Sequence, residues 1–405
     1  MEAHERRIPI TVIKKPGDDP AEDGVCMPAM LEEVRLIEGI SMPSLSVAYF
    51  CMEIGLENDL PTYAGGLGVL AGDMLKSCAD LEVSVIGISL LYRKGYFRQR
   101  IDQSGWQTEV AEEWNPYEKL VLLPEVVTIE LEGRTVSIRA WLYKLKGIRG
   151  TITPVIFLDT DMEANAPDDR GITHSLYGGD VRYRLLQEAV LGIGGIRMLK
   201  ALGAEKIEKF HMNEGHSALL TLELYRRYAE CSEPIEEVRR RCVFTTHTPV
   251  SAGHDQFGRD LASHAIGTYL PAEIDHVIFQ NDVLNMTHLG FQMSRFINGV
   301  AKKHGEVTRD LFPGYQIESI TNGVHATRWV SEPFKRLYDK YLPGWQADPY
   351  SLRYALSIPG EELWRTHEEA KRALATYVNE RYNSGFDPDA FTIGFARRAA
   401  QYKRG

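Results

Sequence analysis

The chain has 405 residues, 44% apolar and 25% charged, a balance that excludes a disordered polymer and leaves room for one enlarged globular domain or two. Its net charge of −10 excludes a dedicated nucleic-acid surface, which needs concentrated Lys and Arg, although a few well-placed donors still suffice for one small phosphate. Five cysteines (Cys26, Cys51, Cys78, Cys231 and Cys242) are odd in number and hold no CxxC pair, which points to free thiols in a reducing compartment.

Residues 1–45 are a weakly specified lead-in of mixed charge, Pro and Gly, with no apolar run of the kind a secretory leader needs. No window in the chain reaches the roughly 18 to 20 apolar residues of a spanning helix. The expectation is a cytoplasmic protein with no membrane or nucleic-acid partner. From Ser46, SVAYFCMEI has the composition of a buried strand. GGLGVLAGDMLKSCADL follows as a helix opening in glycines, with Leu67, Leu70, Leu75 and Ala79 as its apolar positions, and VSVIGISLLY is the next buried strand. Strand, Gly-rich turn, helix and strand make the βαβ pattern of a parallel sheet.

Residues 127–145 alternate apolar and polar on both sides of Glu132 and Gly133, as a half-solvated hairpin does, and predict a small β insertion or edge element. TPVIFLDTD returns to a buried strand. A helical pattern over residues 181–202 leads into a strand from Lys206 to His211, then a helix in NEGHSALLTLELYRRY. CVFTTHTPV is a further strand, NMTHLGFQMSRFINGVAKKHGEV reads as one long helix, and YQIESITNGVH as a strand ending on an Asn–Gly turn. Residues 330–386 are mostly helical by pattern. FTIGFARR, from Phe391, predicts a new strand with no partner downstream. It starts a second α/β domain or adds an edge to the first sheet; the expectation adopted is residues 46–328 as one Rossmann-like domain and 329–405 as a helical linker plus the first strand of a truncated second one.

Five groups of residues could hold a ligand. Gly65, Gly66 and Gly68 precede a helix, where backbone amides can cradle an anion; the pattern lacks the spacing and the Lys of nucleotide loops, and also suits a plain tight turn. His247 ends an apolar strand, the place where ligands bind in open α/β sheets, and suits either a sugar hydroxyl or loop capping. His211, Glu214 and His216 follow another strand; they lack a complete HExxH pattern, so sugar contact or loop architecture is favoured and no metal is expected. Asn322, in Thr321-Asn322-Gly323, is a hydroxyl-binding candidate or a generic turn. Arg397, Arg398, Lys403 and Arg404 could meet a phosphate or form a solvated basic edge. Asp73, Asp159, Asp161 and Glu188 have no spacing that distinguishes a general acid or base.

Taken in order, YFCMEIGL, LPTYAGGLGVLAGD, LLYRKGYFRQRID, LYGGD, HMNEGHSAL, FTTHTPVSAGHDQF, NMTHLGFQMSRFINGVAKKHGEV, ITNGVH and IGFARRAAQYKR closely resemble the N-terminal half of the α-glucan (glycogen, starch, maltodextrin) phosphorylases. The resemblance implies a two-domain GT-B fold, pyridoxal phosphate as cofactor, and cleavage of terminal α-1,4 glucosidic bonds by inorganic phosphate to α-glucose 1-phosphate. It assigns Gly65, Gly66 and Gly68 to the loop beside substrate phosphate and cofactor, His247 and Asn322 to the glucosyl unit, and Arg398 and Lys403 to phosphate. Homo-oligomers are common in such enzymes. The family's cofactor lysine lies beyond Lys403, so the expectation is a chain inactive by itself. Two alternatives stay open: a GT-B synthase using a sugar nucleotide, although the glycine loop has no adjacent lysine, and a non-catalytic glucan-binding fragment.

Overall fold

A computed structural model describes residues 36–37, 40–247 and 254–396. Its centre is a nine-stranded sheet. The first strand, β1 (Val47–Phe50), leads through the glycine loop into α1 (Gly66–Asp80) and back to β2 (Val85–Leu90). The hairpin of β3 (Val121–Leu131) and β4 (Arg134–Lys146) follows, then β5 (Ile152–Asp159). A helix runs through α2 (Val181–Ala189), one π turn (Val190–Gly194) and α3 (Gly195–Ala201). Next come β6 (Lys209–Asn213), α4 (Leu220–Arg227), β7 (Cys242–Thr246), α5 (Met286–Gln292), β8 (Phe296–Gly299), α6 (Lys302–Leu311) and β9 (Glu318–Ser319).

The strand order is β9-β8-β7-β6-β1-β2-β5-β4-β3, parallel from β9 through β5, with β4 antiparallel to both its neighbours. From β1 the chain builds outward through β2 and β5, then returns to lay β6 on the other side of β1. The order therefore reverses between β1 and β6, and the carboxyl ends of strands at such a reversal are where open α/β sheets bind ligands.

Both faces of the parallel strands are buried, so their side chains alternate between two cores rather than between core and water. Ala48, Phe50, Ile86, Ile88, Ile156 and Leu158 join the larger core with Leu185, Ile193 and Leu199; Tyr49, Val155 and Phe157 join the second with Leu75, Ala79 and Trp141. The α1 helix buries Gly68, Ala71, Gly72, Leu75 and Ala79, a stripe of mostly small residues, while Leu67 and Leu70 are half-buried. The smallness has a steric cause: a Cβ at Gly72 would lie 1.9 Å from the Gly55 carbonyl oxygen. The β3–β4 hairpin forms the sheet's edge as its alternation predicts, and turns on Glu132 and Gly133, both at positive φ (53° and 73°).

Two predicted elements are corrected. The stretch from Asn285 is not one helix: α5 ends at Gln292, and Phe296–Gly299 pairs as β8 beside β7. Burial of Ile297 in the sheet outweighs the helical periodicity of the surrounding sequence. Residues 391–396 form no strand; Phe391, Ile393 and Phe395 are 90%, 80% and 71% exposed, and no described strand lies beside them to take their backbone hydrogen bonds. Helices α7 (Glu332–Tyr341) and α8 (Gly360–Tyr382) form as predicted around a small separate core of Leu337, Leu342, Trp345 and Ile358. No helix among the described residues is long and apolar enough to cross a membrane.

Candidate functional site

The residues after β1 and β6 meet at the strand-order reversal. Met52 donates its backbone N–H to His216 Nε2 (2.9 Å), the Ser217 hydroxyl donates to the Phe50 carbonyl (3.2 Å), and Asn213 Nδ2 donates to Cys51 Sγ (3.2 Å). Glu214 turns the chain sharply out of β6 at φ 83°, a conformation that is costly for a residue with a Cβ and is held here by its own bonds. Its carboxylate accepts from the N–H groups of Gly215 (3.2 Å) and His247 (2.7 Å), and its backbone N–H donates to the Thr245 carbonyl (2.8 Å).

His247 is thus clamped at the end of β7. Its Nε2 lies 2.5 Å from Asn213 Oδ1. With Asn213 Nδ2 engaged by Cys51, the Asn213 oxygen can only accept, so Nε2 carries the proton and Nδ1 is left as an acceptor. Desolvation lowers the His247 imidazole to about 3, so at neutral pH it is an uncharged hydrogen-bonding group. Burial likewise lowers His216 to about 3 and His211 to about 4. His211 Nε2 bonds Thr245 Oγ1 (2.8 Å), whose own proton goes to Asn298 Oδ1 (2.9 Å). The three strand ends present fixed, neutral, polar groups, a surface suited to hydroxyls.

The glycine loop is fastened to the segment that follows β1. Glu53, 3% exposed, accepts from the N–H groups of Ala64 (2.6 Å) and Gly65 (3.0 Å) through Oε2 and from the Tyr177 hydroxyl (2.8 Å) through Oε1. Gly65 has an extended backbone and a Cβ at Gly66 would face open space, whereas a Cβ at Gly68 would meet Tyr63 Cβ at 2.6 Å and Glu53 Oε2 at 2.8 Å. The expected cradle is therefore partly filled by the protein's own carboxylate.

Beneath the loop, Arg184 on α2 has Nε 2.9 Å from Glu188 and Nη2 2.9 Å from Asp255, and its guanidinium covers the Tyr177 ring at 4.9 Å. Desolvation and the neighbouring Asp255 push the Glu188 carboxyl well up, whereas Asp255, despite desolvation, is held down by Arg184. Sequence reasoning missed Glu53, Asn213, Tyr177, Arg184 and Asp255. Glu53 and Asn213 lie at or just after strand ends, Arg184 sits on α2, Tyr177 lies in the turn before it and Asp255 precedes a short strand, positions that carry no local mark of a site.

Asn322 is exposed, its backbone N–H donating to the Val300 carbonyl. The segment after it is tied to α1: Asp73 accepts from Arg328 Nη1 (2.9 Å), Trp329 Nε1 (2.6 Å) and the His325 N–H (3.1 Å), and His325 Nε2 lies 2.8 Å from Asp80. Asp73 is thus a structural anchor. Asp159 is another, buried against Arg139 and Trp141. His247 follows β7 and the glycine loop follows β1, both at the carboxyl end of the sheet, while Arg397, Arg398, Lys403 and Arg404 lie outside the described residues.

A family model for carbohydrate phosphorylase matches residues 52–141. The chain is 37% identical to a maltodextrin phosphorylase of Thermococcus litoralis, over 88% of this chain and 47% of that protein. It is 33% identical to a glycogen phosphorylase of Mycobacterium tuberculosis (88% and 48%) and 30% identical to one of Aquifex aeolicus (88% and 58%). The chain spans about half the length of the first two of these relatives. The matches bear out the resemblance to the α-glucan phosphorylases, and the parallel sheet bears out the α/β, Rossmann-like class.

Proposed function

We propose that this chain forms one wall of the active cleft of an α-glucan phosphorylase of the GT-B type, a hexosyltransferase that cleaves terminal α-1,4 glucosidic bonds with inorganic phosphate and releases α-glucose 1-phosphate. The observation that carries it is His247, neutral and clamped by Asn213 and Glu214, at the carboxyl end of the sheet from which the glycine loop also leaves. In this role His247 Nδ1 accepts from a glucosyl hydroxyl and Asn322 adds a second sugar contact. Gly65, Gly66 and Gly68 line the phosphate side, and Arg398 and Lys403 supply its cations. We take residues 46–328 as the first lobe and 329–405 as linker and start of a second lobe, in a cytoplasmic enzyme.

Pyridoxal 5′-phosphate fits this wall at the glycine loop, where open space around Gly66 leaves room for a phosphate beside the first-turn amides. Held at these amides, the cofactor would supply a phosphate group able to share a proton with the substrate phosphate. This chain's residues orient the sugar and shape the loop.

Isothermal titration with maltoheptaose tests the proposal. His247→Ala should weaken binding about three- to tenfold, the loss expected for one neutral hydrogen bond. A chain with no glucan affinity, or one whose affinity ignores His247, would count against it.

A further inference from the structure

We propose that Glu53 is the positioning residue of the glycine loop, and that its fixed negative charge sets which ligands the loop accepts. The identity of the ligand rests on the phosphorylase reading; the role of Glu53 in holding the loop does not.

The carboxylate is almost fully buried and both of its oxygens are bonded. Oε2 takes the N–H groups of Ala64 and Gly65, while Oε1 takes the Tyr177 hydroxyl. Tyr177 is itself fixed, with a left-handed backbone (φ 57°) and its ring under Arg184. Gly68 closes the space below, since a Cβ there would sit 2.8 Å from Oε2. Glu53 therefore joins the loop before α1 to the segment before α2 through one charged group, a stronger tie than neutral hydrogen bonds give.

The charge has a second effect. Two amides that an empty loop would offer to an anion are already satisfied, and those left are the first-turn amides of Gly66, Leu67 and Gly68. A phosphate at those amides is held over a buried carboxylate, a like charge that weakens it. A neutral sugar meets no such opposition. Glu53 thus gives the loop its shape at the expense of anion affinity.

Glu53→Gln separates the two effects, because the amide oxygen can still accept from Ala64 and Gly65 while the amide nitrogen donates to Tyr177. Titrating glucose 1-phosphate and glucose into both proteins at low salt should show the variant binding the phosphorylated sugar about tenfold more tightly, with glucose unchanged. A merely structural Glu53 would leave both affinities alone or weaken them together, and that result overturns the charge assignment. Hydrogen exchange supplies the second readout. Glu53→Ala should speed exchange at the Ala64 and Gly65 amides at least tenfold, and Glu53→Gln should restore protection. Unchanged exchange in Glu53→Ala overturns the positioning role. If neither protein binds either sugar, the phosphorylase reading and the charge assignment fall together, and the exchange result still decides the positioning role.

Discussion

Acid should weaken this fold well above the usual carboxylate range. Burial lowers His211 to about 4 and His216 and His247 to about 3. In the unfolded chain each titrates near ~6.5. Between these values the unfolded chain binds protons that the folded chain refuses. Stability is therefore full above ~6.5 and is lost as pH falls through that window. One such histidine costs about 1.2 kcal/mol between pH 6 and 5, and three cost about 3.6 kcal/mol. Glu188 works in the opposite sense: desolvation raises its carboxyl, so the folded chain keeps a proton that the unfolded chain loses, offsetting at most about 1.4 kcal/mol over the same interval. The half-burial of His211 and His247 trims their shares further, leaving an expected loss of about 2 kcal/mol. Urea titrations followed by tryptophan fluorescence at pH 6 and 5 measure it. His216→Gln, whose amide oxygen can still accept from Met52, should recover about 1 kcal/mol of that loss. A stability that is flat over this interval, or a loss that His216→Gln leaves untouched, refutes the reasoning.

Three further outcomes follow from single contacts. Asp73→Ala leaves the mostly buried Arg328 guanidinium without its countercharge and should cost about 3 kcal/mol in urea, with a red shift of Trp329 emission as its indole loses its partner; Asp73→Asn, which keeps an acceptor, should cost less. Gly72→Ala drives a methyl into the Gly55 carbonyl and should cost about 3 kcal/mol in the same titration. Gly133→Ala meets no neighbour within 4 Å but is forced to φ 73°, so thermal unfolding should show only about 1 kcal/mol of destabilisation.

The parallel strands were legible in the sequence because burial on both faces leaves unbroken apolar runs such as Val85–Leu90. The edge hairpin was legible for the opposite reason, its alternation about Glu132 and Gly133. Phe296–Gly299 was not, because an Ile-Asn-Gly stretch between two helical patterns carries no local mark of the neighbour it pairs with. In the site, His247 stood out by its place at a strand end. Glu53 and Asn213 did not, since their roles depend on amides and rings 11 and 34 residues away in the chain. Glu188 carried no distinguishing spacing, and only the fold sets it beside Arg184 and brings Asp255 to the same guanidinium.

The π turn at Val190–Gly194 sets a phase rather than a length. Beyond it, Gly195 sits on Phe50 and Ile88, where a Cβ would come within 2.6 Å of Phe50, and that contact seats the C-terminal half of the helix against the sheet. The N-terminal half is then aimed by the extra residue in the turn. Removing one residue there would give a straight α-helix rotated by roughly 100° upstream of the seat. Arg184 and Glu188 would swing away together, and Asp255 and Tyr177 would lose the cation between them without any change at their own positions.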